Sequence, residues 1–414
     1  MLQLLIMSVG RIPKLLFLLF LFLLPTQFGK HFFFDFSYIN GIRVDYLSIA
    51  FYITDILVFF LALFKLKEIL MELKRYFVEY SFVLTLLIVH LLASPQWIVE
   101  TYHLIRLFEI WVVYLITRNL KISLKNILAP LALGALFQSI LTLAQFFSKS
   151  SIQGIFYFFG ERYLTVSTPN IAKADFFGQQ ILRPYGTFSH PNSLGGFYLL
   201  LYAFVLSLKP NGQWGRGLVL IRQVLIILSS ILIFISFSKT AIIGYIGLTF
   251  VSILIQKRKC IPCIISSLLT ALVVGGIFLQ AHADPFSLEK RLLLVKHAIA
   301  IIKDHLLLGT GLGQYLYIQS VFSTPYPYFF LQPVHNVFLL GTMQFGLAIP
   351  LLMLTLIWKP LKKIVTKPQI LIILFVIGVT GMADHYWITL QQNMLLLGVV
   401  FGLLQNNIIS ANEQ

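Results

Sequence analysis

The sequence predicts an all-α fold, a polytopic transmembrane helical bundle of about twelve spans with a partly helical external loop between the ninth and the tenth. Three observations carry that reading. Hydrophobic residues make up 58% of the chain and charged residues only 11%, less than half the charged share usual in a soluble domain. Apolar windows long enough for a helix to cross the hydrocarbon layer recur along the whole length. Lys and Arg gather between those windows instead of on one soluble face, so the net charge of +16 points to orientation in a membrane and not to nucleic acid.

The first window, Lys14 to Phe28, follows Arg11 like the apolar core of a signal peptide. It lacks a small-residue cleavage site and further spans follow, so it reads as a retained helix. The next four are Tyr46 to Phe64, Phe77 to Ala93, Tyr102 to Thr117 and Ile127 to Phe147. A second group comprises Pro191 to Leu208, Leu218 to Phe237, Thr240 to Ile255 and Ile264 to Ala281, then Val337 to Trp358, Gln369 to Met382 and Trp387 to Leu404. With an even number of spans both termini share a side. Most Lys and Arg fall in the short loops of that side, so the positive-inside rule places both termini in the cytoplasm.

The long loops, about 148–190 and 282–334, then face outward, as do the turns at Ser238-Lys239 and Asp384-His385. The second loop carries a helical pattern over Leu288 to Ile302, with Leu292, Val295, Ile299 and Ile302 on one face. No fixed-period repeat or low-complexity linker divides the chain, so residues 1–414 form one integral membrane domain. The two cysteines, Cys260 and Cys263, lack the second ligand pair of a zinc site and read as ordinary helix residues.

Four outward features could carry chemistry. Pro184, Gly186 and Pro191 shape a loop that presents Arg183 and Asn192 at the start of a span. Ser238-Lys239-Thr240 puts a charge where almost no loop separates two apolar runs, a costly position that marks function or a snorkelling end. Arg291 lies on the amphipathic segment, where Lys296 and Lys303 read as a solvated face. His335-Asn336 stands where polar loop meets apolar span, and histidine is the side chain suited to accept a proton near neutrality. His90, His103 and His305 read instead as structural.

The run Arg183 to Gly195, the Ser238-Lys239-Thr240 turn and Arg291 are followed by Asp304 to Gly313, with its Gly309-Thr310-Gly311-Leu312-Gly313 cluster. Then come His335-Asn336, Gly346 and Asp384-His385-Tyr386-Trp387. Together, over about Arg183 to Leu404, these resemble the O-antigen ligase and O-antigen polymerase superfamily. The resemblance implies a glycosyltransferase of the cytoplasmic (inner) membrane, active on its external or periplasmic face in cell-surface polysaccharide biosynthesis. Its donor would be an undecaprenyl pyrophosphate-linked glycan, its acceptor a hydroxyl of a glycan or lipid, with lipopolysaccharide among the products such enzymes build, and it would need no cofactor or metal.

On that reading His335 is the base and Arg291 a cation at the leaving pyrophosphate, both catalytic. Arg183, Lys239, Asn192 and Asn336 bind pyrophosphate or glycan, guanidinium groups being suited to phosphate oxygens. The aromatic run from Tyr315 to Phe330 suits either stacking on sugars or an interfacial belt. Two positions depart from the family pattern: Lys239 replaces the usual arginine, and Ile349 stands where ligases often carry glycine. A polymerase-like reading therefore stays open beside the ligase-like one. The rival class is a secondary transporter or flippase for a lipid-linked glycan or small solute, to which the intramembrane Arg106 and Glu109 would be relevant.

Overall fold

The computed structural model describes residues 2–169, 171–208, 214–255, 261–281, 286–326, 331–351, 354 and 367–406, the side chains of 2–10, 255, 262 and 263 excepted. The cysteine side chains, the Lys257-Arg258-Lys259 run, His282, Pro285 and Pro327 to Phe330 lie outside what is described.

Helix α1 (Leu2–Leu23) leads into four short strands, β1 (Gly29–Phe32), β2 (Tyr38–Ile39), β3 (Ile42–Arg43) and β4 (Ile49–Tyr52). Five helices follow: α2 (Ile53–Phe64), α3 (Leu66–Arg75), α4 (Phe77–Ala93), α5 (Trp97–Asn119) and α6 (Leu124–Ser148). An outer segment holds α7 (Ile155–Phe158), β5 (Lys173–Phe176) and β6 (Gln179–Leu182), before α8 (Pro191–Ser207), α9 (Arg216–Ile235) and α10 (Lys239–Ile255). Next come α11 (Ile261–Leu269), a π-helical turn and α12 (Gly275–Leu279), then α13 (Ser287–Asp304) and α14 (Tyr315–Gln319). The chain ends in α15 (Val337–Phe345), α16 (Pro368–Ala383), α17 (Tyr386–Thr389) and α18 (Gln391–Gln405).

The fold is thus mainly helical, as the apolar pattern predicts, with small antiparallel hairpins beside the helices. Strand β1 pairs with β4, β2 with β3 and β5 with β6. These hairpins correct a purely all-α description. The stretch expected to open a span at Tyr46 instead forms a 3₁₀ turn and β4, because Gly29 to Phe32 supplies a partner in register with Ile49 to Tyr52.

Two helices among the described residues, Leu124–Ser148 and Arg216–Ile235, are long and apolar enough to cross a membrane. A third span results if Leu66–Arg75 and Phe77–Ala93, bent by 93°, count as one. About twelve spans are therefore not confirmed among the described residues, where five further apolar helices are shorter than that length. Expected spans are shortened by local breaks: Tyr46 to Phe64 loses its first part to β4, Trp387 to Leu404 is divided at Leu390, and Val337 to Trp358 breaks at Gly346. Gly346 has φ +63, and a Cβ there would lie 2.1 Å from the Leu307 carbonyl oxygen. Only glycine lets the end of α15 dock against the Gly309 loop, whose Thr310 N–H donates to the Met343 carbonyl at 2.7 Å.

Helix α8 sits at the centre and is buried on nearly every face, from Pro191 through Val205. Helices α9, α10, α16 and α18 pack around it. Small residues set the close approaches, as they do between membrane helices. A Cβ at Gly195 would meet Ser236 and Ser238 of the turn between α9 and α10, and one at Gly196 would overlap the Tyr386 hydroxyl. The first turn of α8 is thereby fixed against two loops that carry polar groups.

Candidate active site

The Arg183 loop is held from below by α6. Gln138, Thr142 and Gln145 lie on one face of that helix at spacings of four and three. Gln145 Oε1 accepts from the backbone N–H groups of Tyr185 and Gly186 at 3.1 and 2.8 Å, and Gln138 Nε2 donates to Thr187 Oγ1 at 2.6 Å. Gly186 has φ +58, and a Cβ would come within 2.4 Å of Gln138 Oε1. The shaped loop read from Pro184, Gly186 and Pro191 is therefore a rigid one.

From it a chain of hydrogen bonds crosses the molecule. Arg183 donates through Nε and Nη2 to the Ser236 carbonyl at 3.1 and 2.9 Å, and through Nη2 to Asn192 Oδ1 at 2.6 Å. Asn192 Nδ2 donates to Asp384 Oδ2 at 2.8 Å. The other oxygen, Asp384 Oδ1, accepts the backbone N–H of His385 at 2.8 Å and stands 3.5 Å from His335 Nδ1 and 3.8 Å from His385 Nε2. His335 Nδ1 is buried and makes no hydrogen bond to the described residues. The carboxylate stands within ion-pair range of it, just beyond ordinary hydrogen-bond reach.

Two further residues clasp the carboxyl end of α16. Arg291 Nη1 donates to the Ala383 carbonyl at 3.3 Å, and Asn336 Nδ2 to the Met382 carbonyl at 3.2 Å. Asn336 also caps α15, its Oδ1 accepting from Leu339 N–H at 2.9 Å. Arg291 spends one N–H of its fork on this cap and makes no other hydrogen bond to the described residues.

Lys239 departs from the expected arrangement. It opens α10 as an exposed residue with no hydrogen bond or ion pair to the described residues, although the neighbouring Ser236 carbonyl holds Arg183. Of the predicted residues, then, Arg183, Asn192 and His335 converge on Asp384, Arg291 and Asn336 flank it, and Lys239 stands outside the network.

The electrostatics follow from burial. Burial alone would raise the Asp384 carboxyl, but its contacts with His335, His385 and His190 hold it well below the usual carboxylate range. Burial lowers His385 to about 4, with the charges of His335 and Arg291 adding to the effect against the pull of Asp384. Burial likewise lowers His190 to about 3, in keeping with its Nδ1 accepting the Asn192 N–H at 3.1 Å. Both histidines are neutral at pH 7 and Asp384 is an anion. Enclosure also lowers Arg183, to about 10, which leaves it cationic.

Asp384 and His385 are the residues that sequence reasoning named in a motif without giving a role. A signal was available: acidic residues number 15 against 31 basic ones, and a carboxylate in a turn between two apolar stretches is costly unless used. His335, Asp384 and His385 also place one possible metal-ligating atom each within 4.8 Å of one another. As a set they offer two imidazoles and one carboxylate, with Arg183 and Arg291 as adjacent positive charge opposing a cation.

The arrangement can do two things chemically. An anion at His335 Nδ1 favours the tautomer with a proton there, so that Nε2 presents a lone pair to an incoming hydroxyl. Two guanidinium groups beside it can offset negative charge on a phosphate. A family model described as O-antigen ligase matches residues 224–354. The match takes in Lys239, Arg291, His335 and Asn336 and leaves out Arg183, Asn192 and Asp384, a narrower stretch than the motif resemblance. No curated protein matches the chain. Over that stretch the chain is similar to the O-antigen ligase family, and the match supports a membrane enzyme of polysaccharide or O-antigen assembly.

Proposed function

We propose that this chain is a metal-independent glycosyltransferase that moves a glycan from an undecaprenyl pyrophosphate-linked donor to a hydroxyl of a lipid or growing polysaccharide. The observation that carries the reading is the pairing of His335 with Asp384 at the start of α15, between Arg183 and Arg291. The carrier and the hydroxyl acceptor come from the resemblance, and the ligase and polymerase forms share the chemistry that follows. The setting is the outer face of the cytoplasmic membrane, with both termini inside. There the shorter apolar helices, such as Pro191–Ser207 and Pro368–Ala383, would complete the dozen spans.

In the reaction His335 Nε2 takes the proton of the acceptor hydroxyl as its oxygen attacks the anomeric carbon from the face opposite the leaving group. The bond from that carbon to the pyrophosphate oxygen breaks, and its electron pair leaves with the phosphate. Arg183 and Arg291 offset the charge that develops there, the role of preorganised donors in acyl and phosphoryl chemistry alike. Asp384 orients the imidazole and stabilises the imidazolium. One displacement inverts the anomeric centre. Asn192 and Asn336 hold the two helix ends in place and offer amides to the glycan, and Lys239, exposed at the rim, adds a point charge toward the carrier phosphate.

Arg291→Lys tests the phosphate role. Lysine keeps the charge but cannot form the paired bonds, so the transfer rate is expected to fall by about tenfold or more, roughly one charge-assisted hydrogen bond. Lys239→Arg is expected to retain activity. Assays of glycan transfer with purified protein read both, and an unaltered rate in Arg291→Lys would remove that arginine from the mechanism.

A further inference from the structure

A polar concavity lies apart from the Asp384 network, none of whose residues lines it. A cavity of about 310 Å³ opens between the β2–β3 hairpin, α13 and the segment after α14, and its lining includes Asn40, His297, Gln319, Phe322, Thr324 and Tyr326. Gln319 is 6% exposed and His297 7%, neither side chain makes a hydrogen bond to the described residues, and His297 Nδ1 is a buried atom without a partner among them. Buried polar groups in folded proteins are paired almost without exception, so an unpartnered imidazole nitrogen on a residue of the cavity wall, beside an amide side chain that is free to bond, points to a ligand.

The lining selects the chemistry. No residue bounding the cavity carries a formal charge apart from the titratable His297, which argues against a phosphate or carboxylate as the group bound. Amide and hydroxyl side chains sit beside the aromatic faces of Phe322, stacked on His297 at 4.8 Å, and of Tyr326, which is backed by Lys290. Neutral donors and acceptors around an aromatic platform suit a ligand with hydroxyls on its rim and an apolar face, as a sugar ring has. Its volume lies at the lower end of the roughly 300–1,000 Å³ range of small-ligand sites, room for one such ring.

Position ties this cavity to the reacting centre. Arg291 and His297 are six residues apart on α13, about 9 Å along the axis. From Leu331, which also lines the cavity, four residues lead to His335, a reach of at most about 14 Å. We infer that the cavity is a glycan subsite that holds one saccharide unit while a neighbouring unit of the same chain reacts at His335. This rests on the transferase reading for its purpose, though binding itself can be measured apart from it.

The test uses full-length purified protein and, as probe, fluorescently tagged oligosaccharide released by mild acid from the lipid-linked pool of the source cells. Gln319→Ala and Tyr326→Ala are each expected to weaken binding tenfold or more, with His335→Ala binding as the unaltered protein does. Thr324→Trp, which fills the cavity from its wall, is expected to act likewise and covers the case in which a truncation unfolds the segment. Binding unaffected by the cavity variants, or no saturable binding at all, overturns the subsite.

Kinetics assign the source: a raised KM for the acceptor alone makes the bound unit the acceptor's, and a raised KM for the donor alone makes it the donor's. If the cavity variants keep both KM values, the subsite falls and the transferase reading stands. If oligosaccharide binds through the cavity but no glycoside ever forms, the transferase reading falls and the subsite stands.

Discussion

His335→Ala is expected to lower kcat by about 10² to 10⁴, the usual contribution of a positioned general base, with little change in donor affinity. The reasoning is local. His335 is 3.5 Å from Asp384, and its loss removes the only imidazole in the network that sequence and geometry both place at the entrance to α15. Asp384 would remain held by Asn192 Nδ2 and the His385 N–H, so the fold persists and the loss is one of chemistry. A fall in kcat with KM unchanged is the signature of a group that acts in the transition state. Equal loss of binding would instead mark a ligand-holding residue.

Arg183→Ala is expected to harm both stability and turnover. Its guanidinium satisfies the Ser236 carbonyl and Asn192 Oδ1, and an acceptor left without a donor in a partly buried place costs about 1–3 kcal/mol. The thermal midpoint should therefore drop, and kcat/KM should fall by about 10² as a charge-assisted partner of the pyrophosphate is lost. Arg183→Lys separates the two effects. Lysine restores a cation but cannot bridge Ser236 and Asn192 at once, so stability should stay low while part of the donor affinity returns. If Arg183→Ala leaves both quantities unchanged, the arginine is neither a strut nor a phosphate ligand.

Much of the helical framework is legible in the sequence because apolar windows of sufficient length have few alternatives in a chain so poor in charge. Windows at Phe77 to Ala93, Pro191 to Leu208 and Thr240 to Ile255 coincide with α4, α8 and α10 to within a residue or two. The Arg183 loop and the His335-Asn336 junction were legible for a different reason: Pro and Gly restrict the backbone, and a polar pair at the mouth of an apolar run marks a helix start.

What the sequence hides is pairing across distance. Asn192 meets Asp384 across 192 positions, and nothing local in Asp384-His385 announces that partner. Hairpin β1–β4 was hidden for the same reason, since Ile49 to Tyr52 is apolar enough to read as the start of a span until Gly29 to Phe32 is seen beside it. Lys239 is a different case. Its setting in the sequence marks it as costly, yet its place at the first residue of α10 leaves the side chain exposed, where a lysine is easily tolerated.

The central claim is that this protein makes a glycosidic bond, and one measurement addresses it. Purified protein in lipid vesicles, given lipid-linked glycan and a hydroxyl acceptor in the presence of a chelator, is followed for glycoside formed, carrier pyrophosphate released and glycan moved across the bilayer. The account predicts one released carrier per glycoside formed, unaffected by the chelator and abolished by His335→Ala. Glycan that crosses the bilayer with no new glycosidic bond would make the protein a transporter. Activity that vanishes with the chelator and returns with a divalent cation would turn His335, Asp384 and His385 from a proton-handling group into a metal site.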